Sequence, residues 1–231
     1  MKIGILKTGD TPAELIEKFG SYPEMFERLL EGNGFSFETF FVAGSVFPNS
    51  ATQCDGWLIT GSRHGVYDGF AWIEELERFI QQTWTANVPI AGICFGHQIM
   101  AQALGGRAEK FAGGWSVGQQ HYKLAGGGEV TLNAMHQDQV TICPPDAETI
   151  ASSHFCEFAA LSYGGRGISY QAHPEYSDTF ERELIELRSG TVIPAELANE
   201  ALGSFDRQND NTAIAGQIAD FFRAAHRHKA A

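Results

Sequence analysis

The sequence predicts an α/β fold: an open, mostly parallel sheet with helices on both faces, a cysteine nucleophile elbow and an added antiparallel edge. Three observations predict it. Apolar strand-like runs alternate with helical patterns over the first hundred residues, an order typical of parallel sheets covered by helices. Cys94 lies between Gly92 and Gly96, where a strand pattern gives way to a helical one. Residues 115–172 instead hold short alternating segments punctuated by glycine, which indicates antiparallel strands.

The first half of the chain supplies the elements of the parallel sheet. Residues 21–30 are predicted to form a helix, because Ser21 is a good cap and Pro23 suits a first turn. Residues 71–84 form an amphipathic pattern with large apolar side chains on one face. Strands are predicted at 2–6, 35–40, 56–60 and 88–93, and the helical pattern after the elbow continues through 99–104.

The second half of the chain is predicted to contain a hairpin, a last strand and two helices. Three glycines at 126–128 separate two alternating segments, which favours a hairpin turn. The remaining predicted elements are a strand at 167–172 and helices at 178–188 and 213–227, with loops marked by Pro194, Gly203 and residues 206–211. At 231 residues, one domain over 1–231 is expected, with 190–231 as a helical C-terminal extension.

The elbow carries the chemistry. A residue between two glycines at a sharp strand-to-helix turn can adopt a strained backbone and present its side chain above the sheet edge. The positive end of the helix macrodipole stabilises a thiolate at that place. The amide of Phe95, next after Cys94, would point at an oxyanion formed on an attacked carbonyl. A small buried cysteine in a glycine-rich turn is the alternative interpretation.

A nucleophilic cysteine needs a base, and His173-Pro174-Glu175 offers a base with an orienting group. If the predicted strand at 167–172 runs into this triplet, His173 and Glu175 project from one face because they are two residues apart. Glu175 could then hold the imidazole in one tautomer while His173 takes the thiol proton. A surface turn would be the interpretation of this triplet alone.

Together these blocks resemble the class I glutamine amidotransferases, which release ammonia from glutamine through a cysteine triad. The resemblance covers roughly residues 1–190 and rests on residues 92–98, 135–140 and 173–175, in the family's order. It implies that Cys94 is the nucleophile, His173 the base and Glu175 its orienter. Residues 58–62 occupy the place of the second oxyanion-hole amide, which implies Gly61 or Ser62 beside Phe95. The family's usual Gly-Gly-Pro-Gly pattern is absent there.

The resemblance also implies four substrate-binding residues. Gln98 would help to hold the glutamyl head, since an amide can both donate to and accept from an ammonium-carboxylate group. Trp115 and Ser116 lie where the family approaches the α-carboxylate through backbone amides. His136 could support the substrate or fix a loop, whereas His97 is expected to anchor the elbow by a buried hydrogen bond.

Within the family, the sequence is most similar to stand-alone members of GMP-synthase-like type, including the plant gamma-glutamyl peptidases. Residues 59–62, Tyr67, Asp68 and Trp72 and the pair 114–115 carry this likeness. Three hypotheses follow: a self-sufficient hydrolase of gamma-glutamyl amides, a glutaminase subunit feeding ammonia to a separate synthetase, or a non-catalytic binding or stress protein. The complete triad argues against the third, and the lack of a synthetase segment in the sequence favours the first.

The composition of the chain limits the classes of partner and the cellular setting that are expected for it. With 28 acidic and 16 basic side chains the net charge is −12, which disfavours general attraction to nucleic acid or to anionic membranes. No run of about 18 apolar residues is present, and the first residues are too short for a secretory signal. The four cysteines lack metal-type spacing, so a reduced, cytoplasmic setting is expected. No metal or organic cofactor is needed by the predicted chemistry.

Overall fold

The fold is built on a nine-stranded sheet, seen in a computed structural model that describes the backbone of residues 1–230 and the side chains of residues 1–227. The strands are β1 (Lys2–Leu6), β2 (Ser36–Phe40), β3 (Gly56–Ile59), β4 (Ile90–Ile93), β5 (Arg107–Lys110), β6 (Ser116–Leu124), β7 (Glu129–His136), β8 (Asp138–Ile142), β9 (Glu148–Ser152), β10 (Ala160–Ser162) and β11 (Gly167–Tyr170). The helices are α1 (Ala13–Phe19), α2 (Tyr22–Leu29), α3 (Ala71–Thr85), α4 (Phe95–Ala103), α5 (Asp178–Arg188), α6 (Ala195–Leu202) and α7 (Asn211–Ala230), and a 3-10 turn covers Val42–Gly44.

The strand order confirms the predicted fold class. The main sheet runs β2-β1-β3-β4-β11-β10-β9-β6-β7, and the first five of these strands are parallel. The last four strands pair antiparallel and form the predicted antiparallel edge of the sheet. Strands β5 and β8 form a separate two-stranded sheet. The parallel strands therefore end together at one edge, where loops and helix N-termini can converge on a site.

Helices cover both faces of the sheet, which is why its central strands are apolar throughout. One core contains the inward face of α3, with Trp72, Leu76, Phe79 and Ile80 as expected, together with α4. The other contains Phe26 of α2 and Ile218 of α7 against β1, β3 and β4. Burying each of these large side chains contributes roughly 1.5–3 kcal/mol.

The local signals at α2 and at the hairpin act as predicted. The Ser21 hydroxyl accepts from the Glu24 amide while the Glu24 carboxylate accepts from the Ser21 amide at 2.6 Å, a reciprocal cap. Between β6 and β7, the amide of Gly127 donates to the Leu124 carbonyl, and Gly127 and Gly128 take positive φ angles. Such angles are easily reached by glycine alone, which explains the glycine run.

The structure differs from the sequence prediction at three places. Helices α1 and α6 were not expected, because each is short and begins after a proline instead of a polar cap. The last parallel strand ends at Tyr170, before the predicted 172. Beyond it the chain leaves β4 and crosses to β7, where the His173 amide donates to the Asn133 carbonyl at 2.8 Å.

The segment predicted as a helical C-terminal extension contains α6 and α7, and residue 231 lies outside the described residues. Helix α6 packs against α5 and β6 through Ala198 and Ala201. Helix α7 places Ile214, Ile218 and Phe222 in the core behind β1 and β3. Within the described residues no helix is both long and apolar enough to cross a membrane.

Candidate active site

Cys94 occupies a strained elbow between β4 and α4. Its φ of 53° and ψ of −105° lie outside the regions that non-glycine residues ordinarily adopt. Such a conformation costs on the order of 1–3 kcal/mol and persists because its surroundings hold it. The Cys94 amide donates to the Tyr170 carbonyl at 2.8 Å, and the Cys94 carbonyl accepts from Gln98 at 3.0 Å.

The two flanking glycines are required by close backbone approach. A Cβ atom on Gly92 would lie 2.4 Å from the Gly96 carbonyl oxygen, and one on Gly96 would lie 2.4 Å from the Ile59 carbonyl oxygen. These distances are far below van der Waals contact, and the obstacles are backbone atoms that cannot rotate away. The glycines thus let α4 begin directly on top of β3 and β4, which lifts Cys94 above the sheet edge.

His173 and Glu175 form a buried pair beside the elbow. The imidazole Nδ1 lies 2.7 Å from Glu175 Oε1, and the two side chains are only 3% and 1% exposed. The residues meet through a turn, in which Tyr176 donates its amide to the His173 carbonyl, and not through a strand face as predicted. Because strand β11 has already ended at Tyr170, the alternation of side chains along that strand no longer applies.

The charges around His173 favour its protonated form. Burial alone would lower the pKa of His173, but the Glu175 carboxylate and the Cys94 sulfur outweigh it and hold the pKa well above its ordinary value. Cys94 and His173 line the same cavity, and both side chains lie against Gly61. The arrangement therefore places a protonated imidazole next to Cys94, the kind of neighbour that activates a cysteine nucleophile.

A tyrosine that the sequence argument missed supports the imidazole. The Tyr176 ring stacks on His173 with 4.0 Å between centroids and 5° between planes. The Tyr176 ring also stacks with Tyr22 at 6.0 Å between centroids, and both tyrosines line the same cavity as Cys94. An aromatic face fixes the plane of the imidazole and interacts favourably with its positive charge. Tyr176 follows Glu175 directly, so its neighbourhood could have been inferred from adjacency.

The predicted oxyanion-hole segment is held in place from behind. The Thr8 hydroxyl lies 2.9 Å from both the Thr60 and Gly61 carbonyl oxygens, and Ser62 donates its hydroxyl to the Thr8 carbonyl at 2.8 Å. In a planar trans peptide the amide points opposite to the carbonyl. The amides of Gly61 and Ser62 therefore both point away from Thr8.

Gly61 lies directly against the side chains of Cys94 and His173. A Cβ atom on it would stand 3.1 Å from His173 Cε1 and 3.6 Å from Cys94 Cβ. The amide of Phe95 approaches the same region, because Phe95 is the first residue of α4 and its amide has no partner inside the helix. The structure thus brings the three predicted oxyanion-hole residues to Cys94.

The four predicted substrate-binding residues divide into two groups. A cavity of about 270 Å³ is lined by Cys94, His173, Gln98, Trp115 and His136. Ser116 is buried at the start of β6 and does not line it. In Gln98, both amide hydrogens are donated inside the protein, to the Asp138 carbonyl at 2.9 Å and Gln171 Oε1 at 3.1 Å. Its carbonyl oxygen is the atom left to face a substrate.

His136 and His97 are both neutral and buried. Burial lowers the pKa of each to about 3. His136 Nδ1 donates to the Asp138 carbonyl at 3.1 Å, so Nε2 carries no hydrogen and can only accept. His97 Nδ1 lies 2.7 Å from Ser169 Oγ and ties α4 to β11, the anchoring contact expected for it. Within the part of the chain that the structure describes, no group of three possible ligands could hold a metal ion.

Comparison with known proteins places the chain. The family model described as glutamine amidotransferase class-I matches residues 14–188. The chain belongs to the class I glutamine amidotransferase family. The chain is 30% identical to gamma-glutamyl peptidase 3 of Arabidopsis thaliana, over 84% of this chain and 85% of that protein.

One further relative by sequence and one solved structure are similar to this chain. A glutamine-hydrolysing GMP synthase subunit of Methanothrix thermoacetophila is 37% identical over 41% of this chain and 57% of that protein. A crystal structure of a glutamine amidotransferase from Thermotoga maritima superimposes with a TM-score of 0.75, covering 97% of this chain and 98% of that one, at 16% identity. At that identity the superposition shows the fold alone, which is the class I amidotransferase fold.

A second carboxyl group, Glu181 on α5, also lies close to the pair. It is fully buried, and Oε1 accepts from the Gly118 amide at 3.3 Å. Burial raises its pKa to about 8, against the opposing effects of His173 and the Gly118 amide. Its position among Phe180, Leu184 and Ile185 on the apolar face of α5 is the sequence signal that could have identified it.

Glu181 makes the stability of the fold depend on pH. Between its ordinary value of about 4.3 and its folded pKa of about 8, the folded state keeps a proton that the unfolded state has released. The free energy of unfolding therefore falls as pH rises through this window, by at most about 1.4 kcal/mol per pH unit. Glu181→Gln keeps an acceptor for Gly118 and removes the titration, so we expect its stability relative to wild type to increase with pH.

Urea unfolding between about pH 5 and about pH 9 checks this expectation, with the slope of stability against pH as the readout. Glu186→Gln is the matched control, because Glu186 is exposed on the same helix. Parallel curves for wild type and Glu181→Gln would show that Glu181 does not keep its proton in the folded protein.

Proposed function

We propose that this chain hydrolyses gamma-glutamyl amides through a gamma-glutamyl thioester on Cys94. The observation that carries the proposal is a cysteine at a strained elbow, beside an imidazole whose other nitrogen lies 2.7 Å from a buried carboxylate. Membership of the class I glutamine amidotransferase family supports it. Similarity to a gamma-glutamyl peptidase over most of both chains supports peptides, besides glutamine, as substrates.

The first half of the reaction forms the thioester. The Cys94 thiolate attacks the gamma-carbonyl carbon, and the carbonyl oxygen becomes an oxyanion that accepts from the Phe95 amide and from Gly61 or Ser62. The His173 imidazolium gives its proton to the amine as the carbon–nitrogen bond breaks. Glu175 keeps the imidazole oriented and stabilises its charge. The amine leaves neutral, and the glutamyl group remains bound to sulfur.

The second half releases glutamate. His173, now neutral, takes a proton from water, and the resulting hydroxide attacks the thioester carbon. The same amides stabilise the second oxyanion, and the carbon–sulfur bond then breaks. Glutamate leaves, and the thiolate and imidazolium are restored. Gln98 through its carbonyl oxygen, His136 through Nε2, and the backbone at Trp115 and Ser116 are the groups proposed to hold the glutamyl head.

The isolated chain is expected to act without help, because its oxyanion-hole segment is already held by Thr8. Incubation with glutamine and with several gamma-glutamyl peptides should release glutamate, with a preference for compounds bulkier than glutamine. Quenched-flow mass spectrometry should detect a gamma-glutamyl adduct on Cys94. The proposal fails if neither glutamate nor adduct forms with any of these compounds.

The second candidate function is ammonia donation to a separate synthetase, favoured by the partial match to a GMP synthase subunit. It predicts a different outcome in the same assay: little or no glutamate from the chain alone, and release of both glutamate and ammonia once a synthetase is added. The measurement therefore separates the two functions directly.

A further inference from the structure

The cavity above Cys94 carries an excess of positive charge that the proposed reaction leaves unexplained. Three cationic side chains line it: Arg63 after the oxyanion-hole segment, Lys110 at the end of β5 and Arg188 at the end of α5. The chain as a whole has a net charge of −12. Such a concentration of cations at one cavity is therefore not a reflection of overall composition.

The carboxylates of the same cavity do not neutralise these cations by direct contact. Asp68 accepts from the Gly65 amide at 3.1 Å and lies 3.3 Å from His64 Nδ1. Asp138 accepts from the Tyr67 hydroxyl at 2.9 Å. Among the described side chains, no carboxylate comes within 4.0 Å of the charged nitrogens of Arg63, Lys110 or Arg188.

Of the three cations, Arg188 is the best placed to bind an anionic ligand. Lys110 already lies near Asp138, whose pKa burial raises but the Lys110 charge lowers. Arg63 is exposed, so water and salt screen its charge, whereas Arg188 is half-buried. The Arg188 backbone is fixed as well, because its carbonyl accepts from Val192 and Ile193 at 3.0 and 3.2 Å. The planar guanidinium of an arginine matches a carboxylate with two parallel hydrogen bonds.

The charge of the cavity distinguishes between classes of gamma-glutamyl substrate. Apart from the Cys94–His173 pair, the lining carries three positive and two negative side chains, which leaves one net positive charge. Glutamine is a neutral zwitterion, as is any gamma-glutamyl amide with an uncharged leaving amine. A gamma-glutamyl amino acid or peptide carries one more carboxylate, on the leaving side, and so has a net charge of −1.

We propose that Arg188 selects substrates whose leaving amine carries a carboxylate, so that gamma-glutamyl amino acids and peptides are preferred over glutamine. This inference rests on the proposed gamma-glutamyl hydrolysis and names its substrate class. Cys94 and His173 act on the amide bond in either case, and Arg188 adds binding energy only when the second carboxylate is present.

The test compares two substrates that differ only in that carboxylate, gamma-glutamylglycine and gamma-glutamylglycinamide. For the wild-type protein, kcat/KM is expected to be about tenfold higher for gamma-glutamylglycine, a difference of about 1.4 kcal/mol. Arg188→Gln should bring the ratio close to one, and Arg188→Lys should restore part of it. Raising the salt concentration should reduce the wild-type ratio. Arg78→Gln is the matched control, since it removes the same charge from the exposed face of α3 and should keep the wild-type ratio.

The outcomes separate the two proposals. Equal kcat/KM for both substrates in the wild-type protein overturns the selectivity and leaves gamma-glutamyl hydrolysis intact. The fold of Arg188→Gln is checked by circular dichroism. If the wild-type protein shows the preference, and a folded Arg188→Gln changes it no more than Arg78→Gln does, the assignment to Arg188 is overturned. If neither substrate is hydrolysed, nor glutamine, the proposed function fails and the selectivity fails with it.

Discussion

Replacing Cys94 with alanine or serine is expected to lower turnover of any gamma-glutamyl substrate to below about one per cent of the wild-type rate. The proposed reaction needs a thiolate as nucleophile. Alanine has no nucleophilic group, and the serine hydroxyl is a much weaker one. The fold should remain, since both side chains fit the elbow without new contacts at Gly92 or Gly96. The measurement is glutamate release, together with circular dichroism and the midpoint of urea unfolding.

The other three cysteines provide matched controls. Burial raises the pKa of Cys54 to about 11 and that of Cys156 to about 12, and it also raises the pKa of Cys143. These thiols therefore stay protonated at neutral pH and are poor nucleophiles. Their replacement by alanine should leave the rate nearly unchanged, and iodoacetamide should label Cys94 first. A Cys94→Ala protein that retains more than percent-level activity would rule out Cys94 as the nucleophile.

The second large effect concerns the imidazole and its carboxylate. His173→Ala should abolish activity as completely as loss of Cys94. The nucleophile and its base act as a unit, so removal of either one removes nearly the whole effect of the pair on the rate. Glu175→Gln should reduce the rate less, since the base and the nucleophile remain and the glutamine oxygen can still accept from Nδ1. Parallel measurements of kcat/KM for both variants, with the fold checked by circular dichroism, test this order.

The pH profile gives an independent measure of Glu175. Its carboxylate is the largest influence raising the pKa of His173 against burial. Removal of that charge in Glu175→Gln should therefore shift the alkaline limb of the kcat/KM profile, where the imidazolium loses its proton, to lower pH. An equal and total loss of activity in His173→Ala and Glu175→Gln would mean that Glu175 does more than orient and stabilise the imidazole.

The elements that the sequence predicted well are those with a strong local signal. Helix α3 shows its buried face as a period of 3.6 residues, and α2 is marked by a reciprocal cap and a proline. The elbow is marked by two glycines. They are required because the backbone of α4 lies too close to β3 and β4 for a Cβ atom at either position. Helices α1 and α6 lack such marks: α1 is stabilised by packing against α5, and α6 by packing against α5 and β6.

Some features of the candidate site had no local signal. Gln98 was expected to bind substrate through its whole amide, but its two hydrogens are donated to the Asp138 carbonyl and Gln171. These partners belong to distant parts of the chain. The stacking of Tyr176 on His173 and the burial of Glu181 likewise depend on neighbours that only the packed structure supplies.

The sequence by itself determined the fold class, the family and the candidate reactive residues, because periodicity, turn chemistry and short motifs are properties of adjacent residues. The tertiary structure decided how His173 meets Glu175, where the amide hydrogens of Gln98 are donated, that His136 is buried and neutral, and that Arg188 lines the cavity. It also decided the charge state of Glu181. These properties follow from desolvation and from contacts between segments far apart in the chain, and the energy of a charge or a hydrogen bond is fixed only when its surroundings are.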